Sequence, residues 1–300
     1  MSLEVGIVGL PGAGKSTLFA ALTGALPETY GTAHVGMATL ADDRLPRIAA
    51  LVGSAKATPA SLRVVDLPGT AAAQLGAARA ADALVAVVND EADLESLRLE
   101  LIVADRDHVE WRLDKVRREA KSGDPALRAE VEELVRLLGH VEAGRPLAEY
   151  DHELPAELEP LTMKPLVPVV NGPGGVDLKL EAELAELPAD EAAAFRDGQP
   201  SALDELVRRL RDALDLVTFF TANENEARAW MLRRGRTALD AAATIHSDMA
   251  RGFIRCEVVR WSDLSEAGSR AEVARRGLQR LEGKGYVVED GDILTIRFNV

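Results

Sequence analysis

The sequence predicts an α/β protein built on a doubly wound parallel sheet. Three observations support this prediction. An apolar run at residues 5–8 leads through a glycine-rich stretch into a helical pattern. The runs at 83–88 and 166–170 are short and continuously apolar, which is typical of strands buried on both faces of a parallel sheet. Ligands of such sheets bind at the carboxyl ends of the strands, so the functional residues are expected there.

The glycine-rich stretch matches the phosphate-binding pattern G-x-x-x-x-G-K-[ST] in its strand–loop–helix setting. Glycines allow backbone N–H groups to surround phosphate oxygens at a helix N-terminus. Lys15 can reach the β- and γ-phosphates, and the Ser16 hydroxyl can bind Mg²⁺. A glycine-rich turn that binds nothing is the alternative, but the strand before and the helix after favour a nucleoside triphosphate site. The predicted nucleotide-binding residues are Gly9, Pro11, Gly12, Ala13, Gly14, Lys15, Ser16 and Thr17.

The next elements are a strand at 35–40, a short helix at 44–51 and a strand at 62–67. The last of these ends in Asp66-Leu67-Pro68-Gly69, the D-x-x-G arrangement. In a P-loop protein, Asp66 belongs to the Mg²⁺ site and the Gly69 N–H meets the γ-phosphate. A strand that simply ends in an Asp turn is the ordinary alternative. The preceding P-loop favours the metal and nucleotide roles.

A helical hairpin is predicted between the last two strands of the sheet. Residues 93–121 and 126–142 have a helical period, and Gly123 and Pro125 break the pattern between them. His108 and Trp111 are interpreted as packing or surface residues, because no second ligand residue stands at metal-binding spacing. The apolar residues expected to face one another across the hairpin are Leu94, Leu97, Leu101, Leu113 and Val116 on one helix and Leu127, Val131, Leu134, Leu138 and Val141 on the other.

An amphipathic helix at 203–216 precedes a small α+β segment at 217–300, which is expected to fold without the rest of the chain. Its pattern predicts strands at 218–221 and 255–259, a helix at 237–249 and a terminal hairpin around Asp290-Gly291. The segment is nearly neutral, whereas the rest of the chain is strongly acidic. Its clustered arginines are either a solvated face or a contact to nucleic-acid phosphates. These arginines are Arg228, Arg233, Arg234 and Arg236.

The composition of the chain limits the classes of partner that it is expected to bind. The net charge of −14 argues against a general polyanion binder, and DNA is not an expected partner. No apolar run reaches the ~20 residues of a membrane helix, and the first residues lack the basic start of a signal peptide. Cys256 is the single cysteine, which suits a reducing compartment. A cytoplasmic protein with no membrane partner is therefore expected.

Several segments together resemble the YchF/Obg-like ATPase family. The first strand and P-loop carry part of this resemblance, and Glu100-Leu101-Ile102-Val103-Ala104-Asp105 is similar to the start of the family's coiled-coil insertion. The C-terminal segments 219–222, 226–230, 252–255 and 291–300 resemble its TGS domain, a β-grasp module. The resemblance implies a cytoplasmic, Mg²⁺-dependent nucleotide hydrolase that prefers ATP and associates with ribosomes. We expect a nucleotide-binding domain at 1–92 and 146–216, a hairpin insertion at 93–145, and a TGS-like domain at 217–300.

The chain departs from the family at the switch and base-binding segments. Gly12-Ala13 stands where the family has Asn-Val. In the resemblance, Tyr30 occupies the place of the Mg²⁺-binding switch threonine, with Thr29 and Thr32 to either side. Thr32 is taken as the candidate metal ligand. The resemblance assigns base contact to Asn171, but Gly174 replaces the glutamate of the Asn-x-x-Glu motif.

Geometry predicts a further loss at this end of the site. Only four residues separate Asn171 from the segment at 176–180 that matches the family's final strand. A parallel crossover needs a dozen residues or more, so the final strand and its base-contacting loop must be absent or rebuilt.

Two functions follow from these observations. The first is a P-loop protein that binds ATP or GTP with Mg²⁺, hydrolyses it weakly or in altered form, and works at the ribosome. No side chain is assigned to position the attacking water. The second is a binding module whose nucleotide site is vestigial and whose hairpin and C-terminal domain recognise a protein or RNA partner.

Overall fold

The computed structural model describes residues 3–25, 34–67, 71–196, 199 and 201–299. The strands are β1 (Glu4–Gly9), β2 (His34–Leu40), β3 (Lys56–Thr58), β4 (Ala60–Asp66), β5 (Ala83–Val88), β6 (Leu166–Val170), β7 (Leu216–Ala222), β8 (Glu226–Arg233), β9 (Phe253–Arg260), β10 (Arg280–Glu282) and β11 (Asp292–Phe298). The α-helices are α1 (Lys15–Thr23), α2 (Arg44–Val52), α3 (Ala71–Ala78), α4 (Glu91–Glu119), α5 (Pro125–Glu142), α6 (Leu178–Ala185), α7 (Ala189–Phe195), α8 (Ala202–Ala213), α9 (Ala238–Ile245), α10 (Ser247–Arg251), α11 (Trp261–Ala267) and α12 (Arg270–Arg275). Short 3₁₀ helices lie at Ala120–Ser122, Leu147–Glu149, Ala156–Leu158 and Leu161–Met163. No helix within these described ranges combines the length and apolarity needed to cross a bilayer.

The chain divides into two compact units. The N-terminal unit comprises Leu3–Gly36 and Val64–Leu206, and the C-terminal unit comprises Met37–Arg63 and Val207–Val300. The boundary therefore falls within β2 and β4 and does not follow the order of the chain.

A five-stranded sheet with the order β2-β4-β1-β5-β6 carries the N-terminal fold. Strands β1, β5 and β6 pair in parallel, and β5 is fully buried along its length. One sheet face packs against α3 and α4 through a cluster that includes Val8, Leu84 and Leu97. Helices α1 and α6 pack against each other. The prediction of an α/β fold with a parallel sheet is confirmed. Burial on both faces holds for β5, whereas the edge strand β6 alternates between buried and half-buried residues.

The helical hairpin is also confirmed, with one correction to its packing. Helices α4 and α5 contact each other, and Leu113, Val116, Leu134 and Val141 share one apolar cluster. However, Leu94, Leu97 and Leu101 pack on the sheet with Val65 and Leu84 instead of facing α5. The pairing inferred from periodicity was wrong for these three residues because the first turns of α4 cover the sheet before the helix extends beyond it.

The sheet ends at β6 in the described structure. Residue 176 forms only an isolated bridge to Asn171, and helix α6 begins at Leu178. Asp177 caps that helix by accepting hydrogen bonds from the Lys179 and Leu180 N–H groups. The described sheet thus has no strand after Asn171, in agreement with the prediction that the family's final strand is absent or rebuilt.

A six-stranded mixed sheet with the order β10-β9-β11-β7-β8-β3 forms the C-terminal unit. Strand β11 runs parallel to β7, and antiparallel partners flank this central pair. Helix α9 covers one face, where Ala238, Ala241 and Ala242 join Phe219 and Val258 in the core. This topology fits the expected β-grasp domain. The helix expected at 237–249 is divided into α9 and α10 at His246, which has an extended backbone.

The prediction of a terminal hairpin around Asp290-Gly291 was wrong. Strand β11 pairs with β9 and β7, while the residues before the turn hydrogen-bond to the segment that leads into α9. The Asp290 carboxylate accepts from the Thr218 N–H at 2.8 Å, and the Gly291 N–H donates to the Thr218 carbonyl at 2.8 Å. The turn is thus docked on β7, so it does not close a local strand pair.

Part of the C-terminal unit comes from residues 37–63. Strand β3 pairs in parallel with β8, and α2 packs on β7, β8 and α11. Arg44 of α2 forms ion pairs at 2.7 Å with Asp42 and with Asp290, and its guanidinium lies 5.3 Å from the centroid of the Phe220 ring. The boundary expected at residue 217 stays a prediction, but the sheet of this unit includes a strand from much earlier in the chain.

Candidate nucleotide-binding site

The loop between β1 and α1 needs glycine at two positions. A Cβ on Gly9, whose φ is 150°, would lie 2.2 Å from the Val87 carbonyl oxygen. Gly14 caps α1 in the left-handed conformation, with φ 104°, and a Cβ there would lie 2.8 Å from Asn171 Nδ2. Both sites combine a positive φ with a close approach, so a larger residue would distort the loop. The loop backbone is therefore held close to β5 and to the end of β6.

Lys15 folds back over this loop. Its Nζ donates to the Gly9 carbonyl at 2.9 Å and to the Leu10 carbonyl at 3.0 Å. Burial lowers the Lys15 pKa, and the nearby charges of Asp66 and Glu100 oppose that shift. Since both partners are neutral carbonyls, an anionic phosphate would be a stronger partner for this ammonium group.

Ser16 and Asp66 meet at the carboxyl end of the sheet. The Ser16 hydroxyl donates to Asp66 Oδ2 at 2.8 Å, and Asp66 is only 2% exposed. In the described structure, the other carboxylate oxygen, Oδ1, is buried and has no hydrogen-bond partner. A buried carboxylate oxygen without a partner is costly unless a ligand satisfies it. Hydroxyl and carboxylate oxygens are the donors that Mg²⁺ prefers, so these two residues fit the ion.

Asn171 connects the end of β6 to the phosphate loop. Its Nδ2 donates to the Ala13 carbonyl at 2.9 Å, and its Oδ1 accepts from the Leu178 N–H at 3.4 Å. The side chain therefore ties the loop to the first turn of α6. No spacing rule links residues 158 positions apart, so this contact could not be predicted from local sequence patterns.

The structure brings most of the predicted site together at one edge of the sheet. The loop residues from Gly9 to Thr17, Asp66 and Asn171 all belong to the N-terminal unit. Thr32 and Gly69, the candidate metal and γ-phosphate contacts, lie outside the described residues, as do Thr29 and Tyr30. Sequence reasoning did not associate Glu100 with this site, although its charge acts on Lys15.

The four C-terminal arginines do not form one cluster. Arg233, Arg234 and Arg236 are exposed at the turn after β8, where Arg234 pairs with Asp215 at 2.8 Å. Arg228 lies near the other end of the strand, and its guanidinium stacks 4.2 Å from the Trp230 ring centroid. Five residues of extended chain separate Arg228 from Arg233, roughly 17 Å. Strand formation thus divides a group that looked continuous in the sequence.

A Bacillus subtilis protein described as "Ribosome-binding ATPase YchF" is 35% identical to this chain, and the match covers all of both chains. The chain belongs to the YchF family of Obg-like ATPases. The family resemblance inferred from the motifs is therefore confirmed. A rice (Oryza sativa) member described as "Obg-like ATPase 1" is 31% identical, with 99% of this chain and 92% of that protein covered.

Two family models match separate parts of the chain. The model for the YchF GTPase C-terminal domain, described as a protein of unknown function, matches residues 216–299. The model described as "50S ribosome-binding GTPase" matches residues 4–122. The solved structure of the Schizosaccharomyces pombe YchF GTPase superposes with a TM-score of 0.83 at 25% identity, covering 99% of this chain and 98% of that one.

This YchF chain is shorter than its relatives. Its alignment with the B. subtilis protein runs over 366 positions, whereas the chain has 300 residues. The relative therefore contains segments that have no counterpart here. The direct turn from β6 into α6 is consistent with one such loss.

Proposed function

We propose that this YchF protein binds a nucleoside triphosphate with Mg²⁺ at the loop of residues 9–17 and hydrolyses it. The observation that carries the proposal is the Ser16–Asp66 pair beside the phosphate loop. Its second carboxylate oxygen is buried and has no partner among the residues that the structure describes. The relatives described as ATPases support the same chemistry. We take ATP and GTP as the candidate substrates.

The residues of the chain would act by binding and charge neutralisation. Lys15 would exchange its two carbonyl partners for phosphate oxygens, and the loop N–H groups would hold the same phosphates. Ser16 and Asp66 would hold Mg²⁺, which supplies positive charge next to the phosphate oxygens during transfer. Because phosphoryl transfer depends mainly on positioning and electrostatics, this arrangement can support hydrolysis without a covalent intermediate.

The test is a direct titration of ATP and GTP, with and without Mg²⁺, on wild type and on Lys15→Ala. A charge-assisted contact contributes ~1.5–3 kcal/mol, so the variant should bind at least about tenfold more weakly. Lys121→Ala, which removes an exposed lysine from the tip of the hairpin, is the matched control and should bind normally. Equal affinity in wild type and Lys15→Ala would exclude this loop as the phosphate site.

We also propose the ribosome as the partner, with RNA phosphates contacted by Arg233, Arg234 and Arg236. The support is the name of the bacterial relatives and the exposure of these arginines in an otherwise acidic chain. Arg234 already pairs with Asp215, but both side chains are exposed and such pairs are weak. A ribosome partner would place the protein in the cytoplasm.

Ribosome co-sedimentation across a salt series tests this second part. Reversing the charges of the three arginines should weaken binding and reduce the log–log salt slope by up to about 2–3. Arg228 is left unchanged because it stacks on Trp230. The matched control reverses three arginines of α4, namely Arg98, Arg106 and Arg117. If ribosome binding is weakened only in this control variant, the contact lies on the hairpin.

A vestigial site on a binding module remains the second candidate, favoured by the shortening of the chain relative to its family. Single-turnover hydrolysis separates the two functions. A rate above that of buffer, abolished in Lys15→Ala, supports the hydrolase. Tight nucleotide binding with no turnover, with or without ribosomes, supports the binding module.

A further inference from the structure

The strands next to the phosphate loop end in polar side chains that are already used within the protein. After β5, Asn89 Nδ2 donates to Asp93 Oδ2 at 2.8 Å, and Asp90 Oδ1 accepts from the Asp93 N–H at 2.9 Å. These bonds cap α4. The carboxyl ends of such strands are where a doubly wound sheet binds its ligand, so side chains here are the natural candidates to read a base. Both are engaged in holding a helix terminus.

Asn171, at the end of β6, is engaged in the same way. Its amide nitrogen is bonded to the Ala13 carbonyl and its amide oxygen accepts from the Leu178 N–H. Both polar ends of the side chain therefore have partners in the protein. Because an amide has two N–H donors and two acceptor lone pairs, Asn171 keeps a protein partner at each end whether or not a base contacts it.

The turn that follows Asn171 leaves little chain with which to build a base pocket. The Gly172 N–H donates to the Val176 carbonyl at 3.0 Å, and the Val176 N–H donates to the Val170 carbonyl at 2.8 Å. A Cβ on Gly175 would lie 2.1 Å from the Val170 carbonyl oxygen, so the chain folds directly back on β6. Helix α6 then starts at once and packs on α1.

Buried side-chain atoms that lack a hydrogen-bond partner are found elsewhere in the N-terminal unit. Among the described residues of the N-terminal unit, buried side-chain atoms without a hydrogen-bond partner are Asp66 Oδ1 and Arg196 Nε. Asp66 lies at the phosphate loop, and Arg196 is paired with Glu181 through Nη2 at 2.8 Å, where α7 packs on α6. The unpaired carboxylate oxygen thus lies at the phosphate loop, where a metal ion would satisfy it, whereas Asn171 at the end of β6 has a protein partner at each end.

We propose that this site recognises the triphosphate chain and not the base. The inference rests on the proposed function, that the loop binds nucleoside triphosphates. Strong base discrimination arises when the wrong base leaves buried polar groups unpaired. Asn89 and Asp90 are exposed, and Asn171 has a protein partner at each end, so exchanging one base for another leaves none of these side chains buried without a partner. The substrate class is any nucleoside triphosphate, and inorganic tripolyphosphate is a ligand of the same site.

Competition binding in Mg²⁺ tests the proposal with ATP, GTP, CTP, UTP and tripolyphosphate, and with adenosine as the ligand that lacks phosphate. A net hydrogen bond contributes ~0.5–1.5 kcal/mol, so loss of one base contact changes affinity by at most about tenfold. We expect all five phosphate ligands to bind within about tenfold of one another and adenosine not to compete. A wider spread among the five, or competition by adenosine, would overturn the proposal.

Three variants separate the ways in which the proposal and the proposed function could fail. If ATP itself does not bind to wild type, or binds equally to Lys15→Ala, the proposed function fails before base recognition is tested. Asn171→Ala removes the ties to Ala13 and Leu178, so it should weaken all five ligands by the same factor and leave their ratios unchanged. Asn171→Asp keeps the acceptor for Leu178 and should show the same unchanged ratios. The ratios do not depend on the fraction of folded protein, and a variant that selectively weakens one base would show that Asn171 reads the base.

Discussion

One carboxylate oxygen of Asp66 accepts a hydrogen bond from the Ser16 hydroxyl. The other carboxylate oxygen is buried and has no partner in the described structure. Replacing Asp66 by Asn keeps the size of the side chain and removes its charge. We expect Mg²⁺ to strengthen triphosphate binding in wild type and to lose at least about tenfold of that effect in Asp66→Asn, because contacts to charged groups contribute ~1.5–3 kcal/mol. Titrating the affinity against Mg²⁺ measures this. Asp107→Asn, on the exposed side of α4, is the control and should behave as wild type.

The roles of these residues differ in how far the sequence could predict them. Ser16 and Asp66 stand in motifs whose local structure fixes where they lie, so their meeting was predictable from two short segments. The contacts of Asn171 were not, because Ala13 is distant in the sequence and Leu178 comes into reach only through the tight turn after β6. A motif indicates position when its structural surroundings are kept, and it misleads where those surroundings are lost.

A capping box at the start of α9 gives a pH-dependent prediction. Asp240 accepts from the Thr237 N–H at 2.8 Å and from the Thr237 hydroxyl at 2.9 Å. The Thr237 N–H lowers the Asp240 pKa most, burial opposes it, and the hydroxyl lowers it further. Since the folded pKa lies below 3.8, the charged form stabilises the protein above that value, and this stabilisation is lost as pH falls through the folded pKa.

Asp240→Asn should therefore lower the free energy of unfolding by about 1 kcal/mol at pH 7. The difference from wild type should shrink as the pH is lowered below the ordinary Asp range. Denaturant unfolding at a series of pH values measures it, and Asp212→Asn, an exposed site on α8, serves as the control. A deficit that is the same at every pH would show that charge at Asp240 plays no part.

Among the elements, long helices were predictable and strand partners were not. The periodicity of α4 and α5 extends over many residues, and Gly123 and Pro125 mark the break between them. Strand β8 was missed because its Arg and Trp residues resemble a charged surface segment. The last turn was recognised, but its partner is β7, which lies more than 60 residues earlier in the chain. A local pattern contains no information about so distant a partner.

Arg44 holds helix α2 in the C-terminal unit. Its hydrogen bonds to Asp42 raise its pKa most, burial opposes this rise, and the hydrogen bond to Asp290 adds to it. Arg44→Ala should lower the free energy of unfolding of this unit by about 1–2 kcal/mol, the lower part of the range for charged hydrogen bonds, since Asp290 is partly exposed. Arg44→Lys keeps the positive charge but lacks the planar guanidinium group. Its free energy of unfolding should therefore lie between those of wild type and Arg44→Ala. Hydrogen exchange of the β7 amides gives the readout. Equal protection in all three proteins would contradict the prediction.

At the scale of the whole molecule, the C-terminal unit is discontinuous in sequence. Leu45 and Ile48 of α2 are buried, and α2 packs on β7, β8 and α11. Burying each such side chain contributes ~1.5–3 kcal/mol, and a small domain has only ~5–15 kcal/mol of stability. A segment that begins at residue 217 lacks helix α2 and its buried side chains. The expectation that this segment folds by itself therefore needs a direct test.

We expect a fragment of residues 207–299 to be several kcal/mol less stable than a fusion in which residues 37–63 are joined to it by a flexible linker. Denaturant unfolding of the two proteins, followed by circular dichroism, makes the comparison. A fusion that carries Ile48→Asp is the control and should lose most of the gain. If the fragment alone is as stable as the fusion, α2 and β3 are accessory to this fold.

The discontinuity also has a consequence during synthesis. Residues 37–63 are made early, but their partner strands β7 and β8, and strand β11 that pairs with β7, follow only after the whole N-terminal unit has been translated. At ~5–20 residues per second, roughly 10–50 s pass between the end of that segment and the completion of β11. During this interval Leu45 and Ile48 have no sheet to pack against. The nascent chain is therefore expected to carry an exposed apolar helix near its start, which is the kind of segment that chaperones bind during translation.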